Sequence, residues 1–347
     1  MNRCLRAAIT CIGTTAAPLF FLLHTASAQV GDSVTFKPLP WQVSLFPGIS
    51  THGRADRQMV NHLSLNLIGG TESGLDGVEL GGVFNLDAHD VRYIQCAGLL
   101  NRVGGKVKGV QAAGLLNLVR DSVSGVQAAG LANLNRGPVS GVQAAGLLNL
   151  SHGPVNGVQV AGLYNYTRRL HGVQIGLINV ADTSSGYSIG LVNIVHKNGI
   201  RQVSVSEEDV TGVSVAFKSG TTRLYGILLA GANDWSLIRN YSAGSGIGTR
   251  IPLGSQWSFN GEVVHQELFS DRWKFLGEIV RGKPSLGFKI SPHAILSAGP
   301  TFNLYTTPSK LPAGHLLTDI PGSGWPTTTW GKQTAVWIGG SVGLSFF

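Results

Sequence analysis

The sequence GVQAAGLLNL, from Gly109 to Leu118, contains the pattern that decides the fold. Its first seven residues return unchanged at Gly125 and Gly141, and a close copy, GVQVAGLYN, begins at Gly157, so successive units start sixteen residues apart. Self-similarity at a short fixed period is the signature of a repetitive architecture. The repeat therefore predicts one structural unit for each copy.

Further copies extend the repeat in both directions. A divergent copy covers residues 77–85 and a closer one covers 93–101, while shorter units begin at Gly172 and Gly186. The short units lack one residue between their GVQ-like and GLxN-like parts. Because strict alternation cannot hold in both forms along a continuous strand, the sequence predicts a β-bulge in one form, without indicating which.

Alternation within the unit predicts strands with two different faces. Val110, Leu116 and Leu118 share one parity, whereas Gln111 and Asn117 share the other. Each unit also contains two glycines, and Gly-Pro pairs separate some of the units, which argues against a helix. One face is therefore aliphatic, and the opposite face presents two amides.

The first 28 residues have a basic start, an apolar centre and the small residues Ala26-Ser27-Ala28, which predicts a secretory signal peptide cleaved after Ala28. Its removal would leave Cys96 as a lone thiol, without an internal disulfide. The remaining chain has 24 basic and 18 acidic residues, a net charge of +6, without the basic clusters of a nucleic-acid surface. Since no second run of about 18 apolar residues follows, we expect either a secreted all-β protein or a membrane β-barrel.

Alternation continues after the repeat ends near Arg201. Trp257, Phe259 and Val263 alternate with polar residues, and the final strand runs into VGLSFF, which ends at Phe347. These features, together with the predicted signal peptide, resemble bacterial outer-membrane β-barrel proteins, whose last strand typically ends in Phe. Ser345 departs from the apolar residue that is usual at its position. The resemblance implies an outer-membrane location, contact with lipid, and recognition of the last strand by the barrel-insertion machinery.

The GVQxAGLxN block itself resembles the surface-repeat proteins of spirochaetes and Bacteroidetes, a resemblance that implies almost nothing about chemistry. Two architectures remain open for the repeat region, 77–195. The favoured prediction is a single domain, residues 29–347, that forms a closed antiparallel transmembrane barrel of about 16 strands, with 14 to 18 allowed. The alternative is a β-solenoid in which the asparagines stack into a ladder.

Under the barrel prediction, the amide-bearing face lines a water-filled lumen and the aliphatic face contacts lipid. Glu79 occupies the Gln position of its unit and is expected in the same lining. The predicted lumen-lining residues are Glu79, Gln95, Gln111, Asn117, Gln127, Asn133, Gln143, Asn149, Gln159 and Asn165.

Catalytic, metal-binding and cofactor-binding patterns are not predicted. The Asp87–Asp90 segment and the Glu207–Asp209 run are interpreted as solvated turns or loops, because no recognised ligand spacing accompanies them. His62 and Ser64, two residues apart on one predicted strand, share a face with Asn66, an arrangement also found in some outer-membrane lipid hydrolases. Nothing in the sequence marks Ser64 as activated.

The sequence therefore predicts a non-enzymatic outer-membrane barrel that passes small solutes or displays surface loops to a partner. Two alternatives remain. The first is a secreted or surface-attached solenoid that binds a partner along its repeated face. The second is a barrel-embedded lipid hydrolase that uses His62 and Ser64.

Overall fold

The computed structural model describes residues 37–233, 240–270, 272–307, 326–331 and 333–347. The predicted signal peptide, residues 1–28, lies outside them. Within the described residues the protein is all-β, as predicted, apart from one short 3-10 helix at Gly53–Gln58. No helix in this part of the chain is long and apolar enough to cross a membrane.

The first architectural part, called the solenoid below, is a stack of mostly parallel strands. Its strands are β1 (Lys37–Phe46), β2 (Ile49–Ser50), β3 (Met59–Asn66), β4 (Gly69–Glu72), β5 (Gly74–Gly81), β6 (Phe84–Asp87), β7 (Val91–Ala97), β8 (Leu100–Val103), β9 (Val107–Ala113), β10 (Leu116–Val119), β11 (Val123–Ala129), β12 (Ala132–Asn135), β13 (Val139–Ala145), β14 (Leu148–Ala161), β15 (Tyr164–Ile175), β16 (Ile178–Ser184), β17 (Tyr187–Ile189) and β18 (Val192–Val195).

Each regular coil of the solenoid contributes a seven-residue strand and a four-residue strand, which belong to two different parallel ladders. Equivalent residues of successive units pair in register, so Gln127 lies between Gln111 and Gln143. The short strands pair in the same way, with Asn133 between Asn117 and Asn149. The β-solenoid alternative therefore describes the repeat region.

The expectation of about 16 antiparallel strands does not describe the repeat units. Each unit bends at a Gly-Leu pair, such as Gly114-Leu115, so its ten residues form two short strands rather than one long strand. Stacking identical units in parallel places every glycine and amide beside its own copy. That arrangement permits the ladders described below, which an antiparallel arrangement would not align.

The bends also explain the shorter units. Gln111 and Asn117 are six residues apart and both point inward, and Gln174 and Asn179 are five apart and both still point inward. The missing residue falls at the bend, where the chain passes from one parallel ladder to the other. The alternation of inward and outward side chains starts again after the bend. The predicted β-bulge within a strand is therefore unnecessary at this point.

Close approach between coils favours glycine at the start of the units that begin at 109, 125, 141 and 157. Gly125 has a φ of +133°, and a Cβ there would lie 2.0 Å from the carbonyl oxygen of Gly109. Gly141 stands in the same relation to Gly125. Tyr93, which occupies this position in an earlier coil, keeps a positive φ of 75°. The glycine column therefore fixes how tightly the coils stack.

The second part is an antiparallel sheet that follows the solenoid without a long linker. Its strands are β19 (Ile200–Glu208), β20 (Gly212–Gly220), β21 (Tyr225–Asn233), β22 (Asn240–Pro252), β23 (Trp257–Ser270), β24 (Phe275–Ser291), β25 (Ala294–Thr306), β26 (Thr327–Trp330) and β27 (Thr334–Phe346). Pairing of β19 with β27 closes the sheet into an eight-stranded barrel, and β26 pairs with the start of β27. The closed barrel thus has about half the expected strand number, because the repeat strands do not join it.

Substitution of Gly125 by alanine tests the stacking constraint. We expect the Gly125→Ala change to lower the free energy of unfolding by clearly more than the Gly254→Ala change, measured by denaturant titration. Gly254 has nearly the same φ, +132°, but nothing lies within 4 Å of its hypothetical Cβ, so it reports the backbone strain alone. That strain is worth about 1–3 kcal/mol. Equal losses for the two variants would contradict the close stacking of the coils.

Candidate functional site

Paired charged side chains occupy part of the barrel interior, and two clusters of buried apolar side chains occupy much of the rest. Glu208 on β19 forms ion pairs with Arg281 and Lys283, two inward-facing residues on β24. The Arg281 Nε also donates a hydrogen bond of 2.7 Å to the Asn303 side chain. Because Arg281 is completely buried, this pairing is essential to offset the loss of hydration of its charge.

A second group of charges lies in the same interior. Glu262 on β23 pairs with Lys218 and accepts a hydrogen bond of 2.8 Å from the Tyr225 hydroxyl. Arg250 donates to the side chains of Asn260, at 2.8 Å, and Gln202, at 2.9 Å. The two groups together place acids and bases from opposite walls in contact, which is expected in a barrel whose lumen is only as wide as its side chains.

The outward face of the barrel has the opposite character. One hydrogen-bonded row runs around the outside through neighbouring strands without a charged residue. Its members, in order of strand, are Gly226, Ile247, Val263, Gly282, Phe302 and Ile338. Val263, Phe302 and Ile338 are each more than half exposed. The barrel therefore has an exposed apolar outward face around its middle, while ionised side chains are paired inside it.

Charged residues on the outward face lie towards the ends of the barrel, with the exposed Arg201 near the start of β19 at one end and the others at the opposite end. Three of them, His265, Glu267 and Glu278, lie towards the connection between β23 and β24. There the His265 Nε2 lies 2.9 Å from the Glu278 Oε2. Glu207 is also exposed and outward, near the end of β19 at the same end of the barrel. The apolar surface thus has a polar boundary on this side.

The residues predicted to line a lumen lie inside the solenoid, outside the closed barrel. All ten are completely buried, so they do not face a wide aqueous channel. These amides point inward, as predicted. They are enclosed, however, between the two parallel ladders of the solenoid rather than by a barrel. The side chains fill this space by bonding to their own copies in neighbouring units.

Nine asparagines form the Asn ladder. From Asn66 onward, each side-chain nitrogen donates to the side-chain oxygen of the next asparagine at 2.9–3.0 Å. The ladder consists of Asn66, Asn85, Asn101, Asn117, Asn133, Asn149, Asn165, Asn179 and Asn193. The same nitrogen also bonds a carbonyl near the bend of the following coil, as Asn117 does with Ala128 at 2.7 Å.

Six glutamines form the Gln ladder, whose donors point in the opposite direction along the chain. Each side-chain nitrogen donates to the preceding member at 2.7–2.8 Å, and Gln95 donates to the Glu79 carboxylate at 2.7 Å. Its members are Gln95, Gln111, Gln127, Gln143, Gln159 and Gln174. Glu79 therefore terminates the ladder with an acceptor, and the opposite directions of the two ladders reduce the net dipole of the interior.

Three buried carboxylates meet at this end of the ladders. Oxygen atoms of Glu72, Glu79 and Asp87 lie within 4.8 Å of one another, and all three residues are at most 4% exposed. Gln95 donates to both Glu79 and Asp87, and Asn66 donates to Glu79 at 2.8 Å. Oxygen ligands of this type could hold a divalent cation or share protons.

Burial and then the neighbouring carboxylates raise the pKa values in this cluster. The pKa of Glu79 lies well above its ordinary value because of burial, followed by repulsion from Asp87 and Glu72. The pKa of Asp87 is also raised, by burial and then by Glu72. Both shifts favour the protonated form of these carboxyl groups.

Two interpretations of acidic segments as solvated turns were wrong in part. Asp87 ends a strand and is buried, although His89 and Asp90 are exposed. Glu208 points into the barrel, while its neighbour Glu207 is exposed. In both cases strand alternation continues further than the run of acids suggested, so Asp87 and Glu208 turn inward. The Asp209 side chain is buried as well and accepts hydrogen bonds from Asn303 and Trp337.

His62 and Ser64 do not share a face. His62 is exposed and its Nδ1 lies 2.8 Å from the Asp76 carbonyl oxygen, whereas Ser64 is completely buried and bonds to Asn66. An irregular register between β3 and β5 at Asn61 breaks the expected parity. The two side chains are therefore not arranged as a nucleophile and its base.

Sequence reasoning missed the paired charges of the barrel and Glu72. Their signal was present, since Glu262, Arg281 and Lys283 each stand on the polar side of an alternating strand. Alternation predicts whether a side chain points inward or outward. It does not predict which residue that side chain contacts across the barrel, because the contact depends on strand register. No protein-family model and no curated protein matches this chain.

Replacing Asp87 by asparagine tests the carboxylate cluster. Raised pKa values mean that the folded protein holds protons that the unfolded chain releases, so this contribution to stability is lost as pH rises above about 4 towards the raised pKa values. In the Asp87→Asn protein we expect the free energy of unfolding to fall less steeply as pH rises. The slope should be smaller by up to about 1.4 kcal/mol per pH unit for each proton that the folded protein no longer takes up.

Denaturant titration at a series of pH values provides the measurement. The Asp121→Asn protein, which carries the same charge change at a connection between coils, is the control and should retain the slope of the unmodified protein. An unchanged slope in the Asp87→Asn protein would mean that the cluster does not take up protons on folding.

Proposed function

We propose that this chain is a non-enzymatic bacterial outer-membrane protein in which the eight-stranded barrel anchors the solenoid to the membrane. The proposal rests on the outward face of the closed barrel, which exposes aliphatic and aromatic side chains around its middle while ionised side chains are paired inside. Large exposed apolar surfaces mark contact with a membrane or with another protein. The closed ring of this surface favours lipid, which can surround the barrel on all sides.

Backbone pairing supports the same proposal. Only helices and closed barrels satisfy all of their backbone groups within hydrocarbon, and closure between β19 and β27 removes the free edges of the sheet. Strands β25 and β27 each have 13 residues, more than the 9–11 residues that a tilted membrane-spanning strand needs. The outward residues of β25, from Leu296 to Leu304, include no charge.

The interior favours anchoring over the passage of solutes. Ion pairs join β19 to β24 and β20 to β23 across the lumen. An eight-stranded barrel has an interior just wide enough for its own side chains. We therefore propose a closed anchor that presents the solenoid, rather than a diffusion channel, and the separation of His62 from Ser64 supports a non-enzymatic role.

A lysine at the outward position 263 tests the membrane-facing surface. Val263 is 54% exposed at the centre of the apolar row. We expect the Val263→Lys change to lower the free energy of unfolding in phospholipid vesicles by about 2–4 kcal/mol, because the charge must enter hydrocarbon. Urea titration of the reconstituted protein, followed by tryptophan fluorescence, measures the loss.

Glu267 offers a matched control on the same strand and the same face. The Glu267→Lys change introduces the same side chain within the polar boundary and should leave the unfolding free energy in vesicles nearly unchanged. If both variants were as stable as the unmodified protein, position 263 would not face hydrocarbon and the proposed function would fail.

A further inference from the structure

We propose that the solenoid is immersed edgewise in the same membrane as the barrel, an inference that rests on the proposed function. Two edges of the solenoid define the orientation. The bend edge comprises the Gly-Leu pairs at 98–99, 114–115, 130–131, 146–147, 162–163, 176–177 and 190–191. The charged edge comprises the opposite connections at 104–106, 120–122, 136–138, 152–154, 168–169, 182–183 and 196–199. The bend edge lies among acyl chains, and the charged edge lies at the level of the lipid phosphates.

An unbroken leucine ridge occupies the bend edge. Its seven side chains are each 41–47% exposed, and they are Leu99, Leu115, Leu131, Leu147, Leu163, Leu177 and Leu191. With about 4.8 Å between neighbouring strands, the ridge is about 29 Å long. Aliphatic side chains such as Val110, Val126 and Val142 form a parallel exposed column beside it. This surface is far more continuous than the scattered apolar residues of an ordinary soluble surface.

Charge is confined to the other edge. Between residues 97 and 199, every Asp, Lys and Arg lies at the charged edge or within two residues of it. Eight basic residues stand there against two acidic residues, a net charge of +6. Basic side chains at this level would meet anionic lipid phosphates, to which they are attracted. The charge distribution therefore matches a membrane interface.

Backbone polar groups at the bend edge have hydrogen-bond partners within the protein. Amides of the bend at 130–132 donate to the preceding coil, including Leu131 to Leu115 at 2.9 Å and Gly130 to Ala113 at 3.2 Å. The Ala128 carbonyl before the bend accepts the 2.7 Å hydrogen bond from Asn117. Turns in soluble proteins commonly leave such groups to water, whereas hydrocarbon requires internal partners. Thus the coil can expose its bends to lipid.

The last coil contacts the apolar row of the barrel directly. A Cβ at Gly226, the first member of that row, would lie 3.0 Å from the Gly190 carbonyl oxygen of the solenoid. Next to this point, the backbone N–H of Asn193 donates a hydrogen bond of 3.1 Å to the Ser219 hydroxyl oxygen. The last coil of the solenoid therefore covers one part of the apolar outward face of the barrel. Its aliphatic surface continues the surface that the proposed function assigns to lipid.

Lipid is favoured over a protein partner by the shape of this surface. The leucine ridge projects between two faces that are also aliphatic on their outer sides, so an occupant must cover three sides of the solenoid at once. Acyl chains can surround a projecting edge in this way. A second copy of the chain could pair with one face, and the experiment distinguishes that outcome.

Quenching by lipid-borne nitroxides tests the orientation. Single cysteines are placed in a Cys96→Ala background, since alanine occupies the equivalent positions 112, 128 and 144. Bimane is attached at Leu131→Cys on the bend edge, at Ser124→Cys beside the charged edge, and at Val263→Cys on the barrel. The full mature chain is reconstituted in phosphatidylethanolamine–phosphatidylglycerol vesicles that contain a lipid with a nitroxide in mid-acyl chain.

We expect quenching at positions 131 and 263 to be similar and about threefold greater than at position 124, since immersed apolar edges lie several ångströms below the headgroups. Quenching at 263 but not at 131 would overturn the immersion of the solenoid and leave the barrel proposal intact. Absence of quenching at 263 would overturn both. If the unlabelled Leu131→Cys protein formed disulfide-linked dimers on oxidation and the labelled protein showed no quenching at position 131, the ridge would instead be an interface between copies.

Discussion

The side-chain amide of each ladder asparagine from Asn85 to Asn179 makes two hydrogen bonds on which the rest of the solenoid depends. One bond reaches the next asparagine, and the other reaches a carbonyl group beside the bend, as Asn133 does with Asn149 and Ala144. A buried amide that lost these partners would cost about 1–3 kcal/mol. The repeated bonds therefore hold identical bends above one another, and they satisfy the polar groups that a turn would otherwise present to water.

Inward amides leave the aliphatic residues on the outside. The same alternation recurs in the barrel, where the inward residues are charged and paired instead of amide-bearing. Two different architectures in one chain thus share exposed apolar surfaces and an interior in which hydrogen-bonded polar side chains lie beside buried aliphatic clusters. The polar interior ends in the carboxylate cluster, where Glu79 replaces a ladder glutamine and accepts the last donor. No basic side chain is among the bonded partners shown for Glu79 and Asp87, and burial raises the pKa of both carboxyl groups.

Much of this arrangement could be predicted from the sequence. The sixteen-residue period, the strand character, the all-β class and the inward direction of Gln111 and Asn117 followed from alternation alone. The choice between barrel and solenoid did not, because alternation specifies a face but not the direction of the neighbouring strand. The short units contained a clue, since a residue can be lost without changing either inward amide only if the chain bends between Gln174 and Asn179. Pairing of Glu208 with Arg281 could not be predicted, as it joins strands 73 residues apart.

Hydrogen exchange of the side-chain amides tests the central claim most directly, namely that the amide face is a dry, bonded interior. Exchange of the Asn133 carboxamide protons, followed by nuclear magnetic resonance in the reconstituted or micellar protein, is compared with that of Asn156, an exposed asparagine in the same solenoid. The account predicts that the Asn133 protons exchange orders of magnitude more slowly than those of Asn156. Equal exchange rates would mean that water reaches the amides freely, which would contradict the ladder as the foundation of the fold.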